Sequence, residues 1–235
     1  MEKITKAQIK LVRSLQLKKF RDELGLFVAE GEKCVSELRK SFELVHLFRE
    51  GENASRTEIE QMSGLRTPQG VIGVFRKPQI INHKFAIING LTLALDSIQD
   101  PGNLGTIIRT CDWFGVHDIF CSLDTADCYN PKVVQATMGA LARVRLHYLD
   151  LPKWLESVHC PIYGTLLNGE NMYAKPLNKE GIIVMGNEGN GISPEVRQLI
   201  THPIRIPSYP KNAETSESLN VSIATAIVLA EFRRS

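Results

Sequence analysis

Polar side chains that are able to bind and orient a substrate occur in three separate segments of the chain. Asn103 and Arg109 lie six residues apart in the first segment. Glu188 lies in a glycine-rich second segment, and Ser218 and Asn220 lie in the third. No histidine cluster, cysteine pair or set of metal ligands accompanies them. A site of this composition suits hydrogen bonding and charge stabilisation rather than metal chemistry.

The segment Gly186–Ser193 has the spacing of a phosphate-binding loop but not its charge. Gly186 and Gly191 are separated by four residues as in a Walker A loop, but Ile192 replaces the lysine that meets the phosphates. Glu188 would repel a polyphosphate, and it suits a cationic ligand or a hydroxyl donor. The alternative is a structural turn in which the glycines adopt positive φ and Glu188 caps the next helix.

Each polar segment follows an apolar run that is typical of a buried strand. These runs are residues 91–95, 182–186 and 203–206, and further strands are expected at 118–121, 143–148 and 161–165. Helices are expected at 104–114 and from about Pro131. Alternating strands and helices predict a parallel sheet, which binds ligands beyond the carboxyl ends of its strands. The polar segments are therefore expected to meet at one edge.

The C-terminal segment predicts a helix that is apolar on nearly every side. Apolar residues dominate from Leu219 to Phe232, and three alanines among them allow close approach by a neighbouring backbone. Such a helix is expected to be buried in a large core or against a second subunit. Ser216 or Ser218 is expected to cap its free N–H groups.

The N-terminal segment is strongly basic. Between Met1 and Arg21 there are seven basic residues and one acid, with apolar residues interleaved at helical spacing. This pattern predicts one amphipathic helix whose cationic face attracts phosphate backbones, with a solvated face as the alternative. The candidate residues for binding a nucleic-acid phosphate backbone are Lys6, Lys10, Arg13, Lys18, Lys19 and Arg21.

The first eighty residues predict a separate small α/β or α+β domain. Strands are expected at 25–31, 44–48 and 71–75, with a helix at 32–40. A polar, proline-bearing stretch at 77–84 predicts a linker. The domains are therefore placed at 1–84 and 85–235.

Composition excludes several classes of protein. The 235 residues are 43% hydrophobic and 23% charged, as in a globular chain, and the formal net charge of +2 identifies no partner. No apolar run approaches the roughly 18 residues of a membrane span, and the charged N-terminus does not resemble a signal peptide. Five cysteines without a C-x-x-C pair predict neither disulfides nor zinc, so a cytoplasmic location is expected.

Three motifs together resemble those of the SpoU (TrmH-like) methyltransferases of the SPOUT superfamily. The first motif is Asp100–Cys111, the second is Met185–Ile192, and the third comprises Ile206–Pro207 and Ser218–Ala224. Residues 15–21, 27–31 and 68–71 also resemble an L7Ae/L30e-like RNA-binding module. The resemblance spans nearly the whole chain.

The resemblance implies an α/β fold, with a C-terminal trefoil-knotted parallel-sheet SPOUT domain and an N-terminal L7Ae/L30e-like RNA-binding domain. It implies a homodimer that uses S-adenosylmethionine to methylate a ribose 2′-hydroxyl in RNA, in rRNA rather than tRNA; no membrane or DNA partner is expected. The catalytic positions that it implies are Asn103, Arg109, Glu188, Ser218 and Asn220. The S-adenosylmethionine-binding positions that it implies are Thr165, Leu166, Gly186, Ile206, Ser218 and Leu219.

The role expected of Arg109 is electrostatic. A guanidinium resists deprotonation, so we expect it to hold a phosphate and stabilise the developing alkoxide rather than act as a base. Glu188 and Asn103 would orient Arg109 or the ribose. One segment departs from the family pattern, because residues 208–217 form a longer loop without glycine beside Ser218.

Four alternatives to this function remain open. They are a tRNA ribose methyltransferase, a catalytically silent RNA-binding SPOUT protein, a base methyltransferase on the same scaffold, and a small-molecule α/β enzyme with an acidic loop.

Overall fold

The structure is a computed structural model that describes residues 4–78, 90–174, 176–210 and 218–234. The chain divides into two compact units. The first comprises Met1–Lys84 and Asp127–Arg143, and the second comprises Phe85–Ala126 and Val144–Ser235. Residues 127–143 thus belong to the first unit, whereas the sequence analysis placed them in the second domain. Most of the predicted linker at 77–84 lies outside the described residues.

The described residues form nine helices and nine strands, with one 3₁₀ turn at Ala140–Ala142. In chain order they are α1 (Lys6–Ser14), α2 (Lys18–Leu24), β1 (Leu26–Glu30), α3 (Glu32–Leu38), β2 (Leu44–Arg49), α4 (Arg56–Met62), β3 (Val71–Arg76), β4 (Leu91–Leu95), α5 (Pro101–Trp113), β5 (Asp118–Ser122), α6 (Pro131–Thr137), β6 (Arg145–Leu149), α7 (Leu151–Glu156), β7 (Ile162–Asn171), β8 (Gly181–Met185), α8 (Pro194–Arg197), β9 (His202–Arg205) and α9 (Val221–Phe232). Among these helices, none has the length and apolar character that a membrane span requires.

The first unit is built around a three-stranded antiparallel sheet in which β3 lies between β1 and β2. All five residues of β1 are buried, and helices α2, α3 and α6 pack against it. Phe27 in β1 contacts the rings of Phe42, Phe75 and Tyr129. Burial of Tyr129 in this aromatic cluster is one reason that residues 127–143 pack with the first unit.

A buried arginine ties the two segments of the first unit together. The Arg21 side chain is 2% exposed, and its guanidinium donates to the Asp127 carboxylate at 2.8 and 3.1 Å. It also donates to the carbonyl oxygens of Leu15 and Gln16, at 2.9 Å each. Arg21 is therefore removed from the candidate RNA-binding residues, because its charge is neutralised inside the fold.

The N-terminal segment forms two helices, not the single helix that was predicted. A capping box between Thr5 and Gln8 begins α1, and the helix ends before Leu15, whose side chain is fully buried. The carbonyl groups at a helix end need partners, and the Arg21 guanidinium supplies them at Leu15 and Gln16. These contacts span only five and six residues, whereas the pairing of Arg21 with Asp127 is the tertiary contact that the apolar periodicity did not reveal.

The second unit contains a six-stranded sheet in the order β6-β5-β4-β8-β7-β9. Every neighbouring pair is parallel, which confirms the predicted parallel-sheet α/β architecture. The central strands β4 and β8 are buried at every residue, as their continuous apolar runs predict. Because the strands are parallel, the segments that follow β4, β8 and β9 leave the sheet at the same edge.

Helices α5 and α9 pack side by side and point in the same direction. At their N-terminal ends Asn220 donates a hydrogen bond to Asn103. At their C-terminal ends the Arg233 guanidinium donates to the carbonyl oxygens of Phe114 and Gly115. These two contacts fix the register of the helices and hold the start of α9 against the first turn of α5.

Within a single chain, α9 is buried on one side only. Val228 and Leu229 are fully buried, whereas Ile223 is 53% exposed. The side away from the core carries an apolar stripe, here called the α9 stripe, that comprises Ile223, Ala226, Ile227 and Ala230. Of the two expectations for α9, burial on every side within its own chain is therefore not observed. Burial against a second subunit stays a prediction.

We expect Asp127→Ala to lower the free energy of unfolding by about 3 kcal/mol, because it leaves the Arg21 charge buried without its counterion. Asp22→Ala is the matched control, since Asp22 is 45% exposed and pairs with Lys18 and Lys77 at the surface. Its loss is expected to cost less than about 1 kcal/mol. Urea unfolding followed by circular dichroism measures both, and equal losses would contradict the role assigned to the buried pair.

Candidate active site

Asn103 is positioned by the cap of helix α5. The helix begins at Pro101, three residues before the predicted start, because Asp100 accepts a hydrogen bond from the Asn103 backbone N–H at 2.7 Å. Proline suits the first helical position, where no N–H is required. Asn103 therefore lies in the first turn of α5, just beyond the carboxyl end of β4.

Glu188 is presented by a tight turn at the carboxyl end of β8. The backbone groups of Asn187 and Gly191 exchange two hydrogen bonds of 2.9 Å, which close the turn. A Cβ on Gly186 would lie 2.3 Å from the Gly191 carbonyl carbon, so only glycine fits there. The turn therefore has a structural need for its glycine, and its glutamate does not cap the next helix, since α8 begins after Ser193.

Two polar residues that the sequence analysis missed anchor this turn. The Asn187 amide donates to the Ser97 carbonyl at 2.8 Å and accepts from the Gly189 and Asn190 N–H groups. Asp96, which is 4% exposed, accepts from the Ser193 N–H at 2.7 Å. Asparagine in a glycine-rich turn and aspartate directly after a strand were the available signals.

Asn220, not Ser218, caps helix α9. Its Oδ1 accepts hydrogen bonds from the backbone N–H groups of Ser222 and Ile223, at 3.0 and 3.3 Å, and from the Ser222 hydroxyl. The alternative cap, Ser216, lies outside the described residues. Since Oδ1 is held by backbone donors, the Nδ2 group of Asn220 points away from the helix.

The three segments meet through one hydrogen-bond chain. Asn220 Nδ2 donates to Asn103 Oδ1 at 3.0 Å, and Asn103 Nδ2 donates to Glu188 Oε1 at 2.7 Å. The cap determines the orientation of the Asn220 amide, which determines that of Asn103, which in turn presents a donor to the carboxylate. Glu188 Oε2 makes no hydrogen bond within the described residues, so it remains free to accept one from a ligand.

Arg109 does not join this chain. It lies six residues beyond Asn103 on α5, which places it roughly 120° around the helix and about 9 Å along it. Its side chain is exposed and makes no hydrogen bond or ion pair within the described residues. Ser218 is also exposed and makes no hydrogen bond to the three bonded side chains within the described residues. The structure thus brings together Asn103, Glu188 and Asn220 and leaves these two apart.

The predicted cofactor residues lie along the carboxyl edge of three adjacent strands. Thr165 and Leu166 are in β7, Gly186 follows β8, and Ile206 follows β9. Ser218 and Leu219 directly precede α9, and residues 211–217 of the long loop lie outside the described part. Thr165 and Glu170 of β7 both pair with Ile204, so Leu166 lies in an irregular part of the strand that sequence periodicity did not predict.

The comparison with protein families identifies the chain. The model of the SpoU rRNA Methylase family matches residues 90–230. The chain belongs to this family. The model of the MRM3-like substrate binding domain matches residues 6–52. The family predicted from the three motifs is thereby confirmed.

Two curated relatives resemble the chain over most of its length. The 23S rRNA (guanosine(2553)-2′-O)-methyltransferase RlmP of Bacillus subtilis is 28% identical, over 99% of this chain and 98% of the relative. The 23S rRNA (guanosine-2′-O-)-methyltransferase RlmB of Neisseria meningitidis is 32% identical, over 71% of this chain and 69% of the relative.

Two solved structures cover 99% of the chain. A putative RNA methyltransferase of the TrmH family from Porphyromonas gingivalis has 37% identity and a TM-score of 0.86, with 99% of its own chain covered. The AdoMet-bound rRNA methyltransferase from Sinorhizobium meliloti has 29% identity and a TM-score of 0.86, with 96% of its chain covered.

The hydrogen-bond chain predicts a separation between stability and activity at Asn220. In Asn220→Asp the helix keeps an equally good cap, but the donor to Asn103 is lost, so we expect methyl transfer to fall about 100-fold at unchanged melting temperature. In Asn220→Ala both are lost, and the free energy of unfolding should fall by about 1 kcal/mol as well.

Asn190→Asp is the control for this pair, since the Asn190 side chain makes no hydrogen bond within the described residues. Methyl transfer and thermal unfolding are measured for all three variants. Full activity in Asn220→Asp would show that the hydrogen bond from Asn220 to Asn103 has no catalytic role.

Proposed function

We propose that this protein transfers a methyl group from S-adenosylmethionine to a ribose 2′-hydroxyl in RNA, and that its substrate is rRNA rather than tRNA. The observation that carries the proposal is the chain of Glu188, Asn103 and Asn220, which presents an unused carboxylate oxygen in the family's motif positions. The rRNA substrates named for RlmP and RlmB, and the AdoMet named for the Sinorhizobium structure, support it.

The residue types at the strand edge fit S-adenosylmethionine. Leu166 and Ile206 are half-buried and Leu219 is 48% exposed, so all three offer apolar surface to an adenine ring. We assign the cofactor to these residues together with Thr165, Gly186 and Ser218. The Glu188 carboxylate complements a cationic ligand. S-adenosylmethionine supplies an electrophilic methyl group from its sulfonium.

The protein's own part in the reaction is to position and stabilise. Glu188 Oε2 accepts a hydrogen bond from the ribose 2′-hydroxyl, and Asn103 keeps the carboxylate in place through Oε1. Arg109 holds a phosphate next to the target ribose and lowers the energy of the oxygen as its proton passes to the Glu188 carboxylate. Asn103 and Glu188 were expected to orient either Arg109 or the ribose. Because they make no hydrogen bond to Arg109 within the described residues, we propose that they orient the ribose.

Detection of a labelled methyl group on the ribose of bulk RNA would distinguish this proposal from a catalytically silent RNA-binding protein. The rRNA reading is tested by mapping 2′-O-methyl sites in rRNA and tRNA from cells with and without this protein. Loss of a site in rRNA alone is expected. Loss of a site in tRNA alone would reject rRNA as the substrate and support the tRNA ribose methyltransferase.

Arg109→Ala is expected to reduce methyl transfer at least 100-fold, on the order of the loss of one charge-stabilising group, while the affinity for S-adenosylmethionine stays within about twofold. Arg109→Lys keeps the charge but not the bidentate fork, so we expect partial activity. Calorimetric titration of the cofactor and a labelled methyl-transfer assay measure the two effects. Equal losses of binding and turnover would overturn the assignment.

We assign RNA docking to the first unit. Lys6, Lys10, Arg13, Lys18 and Lys19 are exposed on α1 and α2, although Lys18 pairs with Asp22 at 2.6 Å. The match of residues 6–52 to a substrate-binding domain supports this assignment. Cations that contact phosphates release counterions, so RNA binding through this face depends on salt.

We expect the affinity for rRNA to fall steeply across a salt series, and Lys10→Gln to lower the slope of log affinity against log salt by about 1. Lys40→Gln is the control, because the Lys40 ammonium already pairs with Glu37. Filter binding at five or more salt concentrations gives the slopes. A flat series for the wild-type protein would remove this docking surface.

We also propose a homodimer whose interface includes the α9 stripe. Ile223 and Ala230 are exposed and Ala226 and Ile227 are half-buried, so these four residues at helical spacing offer apolar surface to a partner. The trefoil knot of the second unit, the L7Ae/L30e-like fold of the first unit and the cytoplasmic location stay predictions of the family resemblance.

A further inference from the structure

A groove in the first unit lies between helices α1 and α2. It has a volume of about 420 Å³ and is lined by Lys6, Ile9, Lys10, Arg13, Ser14 and Phe20. The five residues from α1 recur at intervals of three and one, so they share one face of that helix. The volume is within the range of sites that bind small organic groups.

The cations of this groove are unpaired. Within the described residues, Lys6, Lys10 and Arg13 have no carboxylate partner. Most other cations of the first unit do have one, and these are Lys18, Arg21, Lys40, Arg49, Arg56, Arg76, Lys77 and Arg143. Lys19, Lys33, Arg39, Arg66 and Lys132 are also unpaired within the described residues, but Lys6, Lys10 and Arg13 share one face of α1 along the groove, and together they call for an anionic occupant.

The groove also has an aromatic wall. Phe20 is half-buried, and its ring has no aromatic partner within the described residues. Phe27, Phe42 and Phe75, by contrast, belong to the aromatic cluster of the core. A half-buried ring beside three cations suits a ligand that carries a planar ring and a phosphate together.

We propose that this groove binds an unpaired nucleotide of the RNA substrate. Its base lies against the Phe20 ring, and the flanking phosphates lie at Lys6, Lys10 and Arg13. A fully paired duplex offers only phosphates and sugars to such a surface and leaves the ring unused. The inference rests on the proposed function and adds to it the class of RNA segment that docks, which is a loop, a bulge or a single strand.

The test compares two fluorescein-labelled decamers with the full-length protein at one salt concentration. One is a mixed-sequence RNA without self-complementarity, and the other is an abasic ribose-phosphate chain of the same length and charge. Fluorescence anisotropy is expected to give an affinity about tenfold higher for the RNA, the contribution of one stacked base. Equal affinities would overturn the proposal and leave a phosphate-binding surface only.

Substitutions at Phe20 separate the stacking from the fold. Phe20→Leu keeps the apolar bulk and should bring the ratio of the two affinities close to one, whereas Phe20→Tyr keeps the ring and should preserve the ratio. The melting temperature of each variant shows whether it folds. A ratio that Phe20→Leu leaves unchanged would place the base elsewhere.

Substitutions of the cations separate charge from stacking. Lys10→Gln and Arg13→Gln should weaken the binding of both decamers by a similar factor, so that the ratio is preserved. Lys33→Gln is the matched control, because Lys33 is exposed and unpaired on α3 but does not line the groove. An effect of Lys33→Gln equal to those of the groove variants would show that no local site exists.

Methyl transfer to rRNA by the wild-type protein separates this inference from the function on which it rests. Turnover together with equal affinities for the two decamers rejects the groove alone. Absence of turnover rejects the proposed function, whatever the ratio of affinities.

Discussion

The need of helix α9 for an N-terminal cap orients the whole active site. A helix begins with free N–H groups, and Asn220 satisfies two of them with its Oδ1. Its Nδ2 is then the group left for Asn103, whose own amide must turn its donor towards Glu188. The same hydrogen bonds that start the helix therefore set the direction of the two amide donors, Asn220 Nδ2 and Asn103 Nδ2. Stability and chemistry share one residue here.

Parallel strands explain why residues so distant in sequence meet. Asn103 is 85 residues from Glu188 and 117 residues from Asn220, but β4, β8 and β9 deliver their following segments to one edge of the sheet. The turn that carries Glu188 is closed on itself and tied to the segment after β4 by Asn187. Backbone contacts fix this turn, so its carboxylate is held in place before any ligand binds.

Charge in the first unit is divided between structure and surface. Arg21 pairs with Asp127 and donates to the Leu15 carbonyl at the end of α1, whereas Lys6, Lys10 and Arg13 have no partner within the described residues. In a basic segment, pairing decides which charges remain available to a ligand. Composition counts all seven basic residues of this segment alike, since pairing with a residue as distant as Asp127 leaves no trace in local sequence.

The sequence by itself determined the parallel sheet and the three polar segments, because a buried strand has a local signature, such as the apolar run 91–95, and a polar segment follows it directly. It also determined the family, whose motifs are short and contiguous. Only the tertiary structure decided that Asn220 rather than a serine caps α9, that Arg109 lies apart from Asn103 on α5, and that Arg21 is buried. The Asn220 amide donates to Asn103, 117 residues away, and Arg21 pairs with Asp127, 106 residues away, whereas Arg109 has no partner within the described residues. Whether a polar side chain finds a partner depends on which segments the fold brings together, and local patterns do not record that.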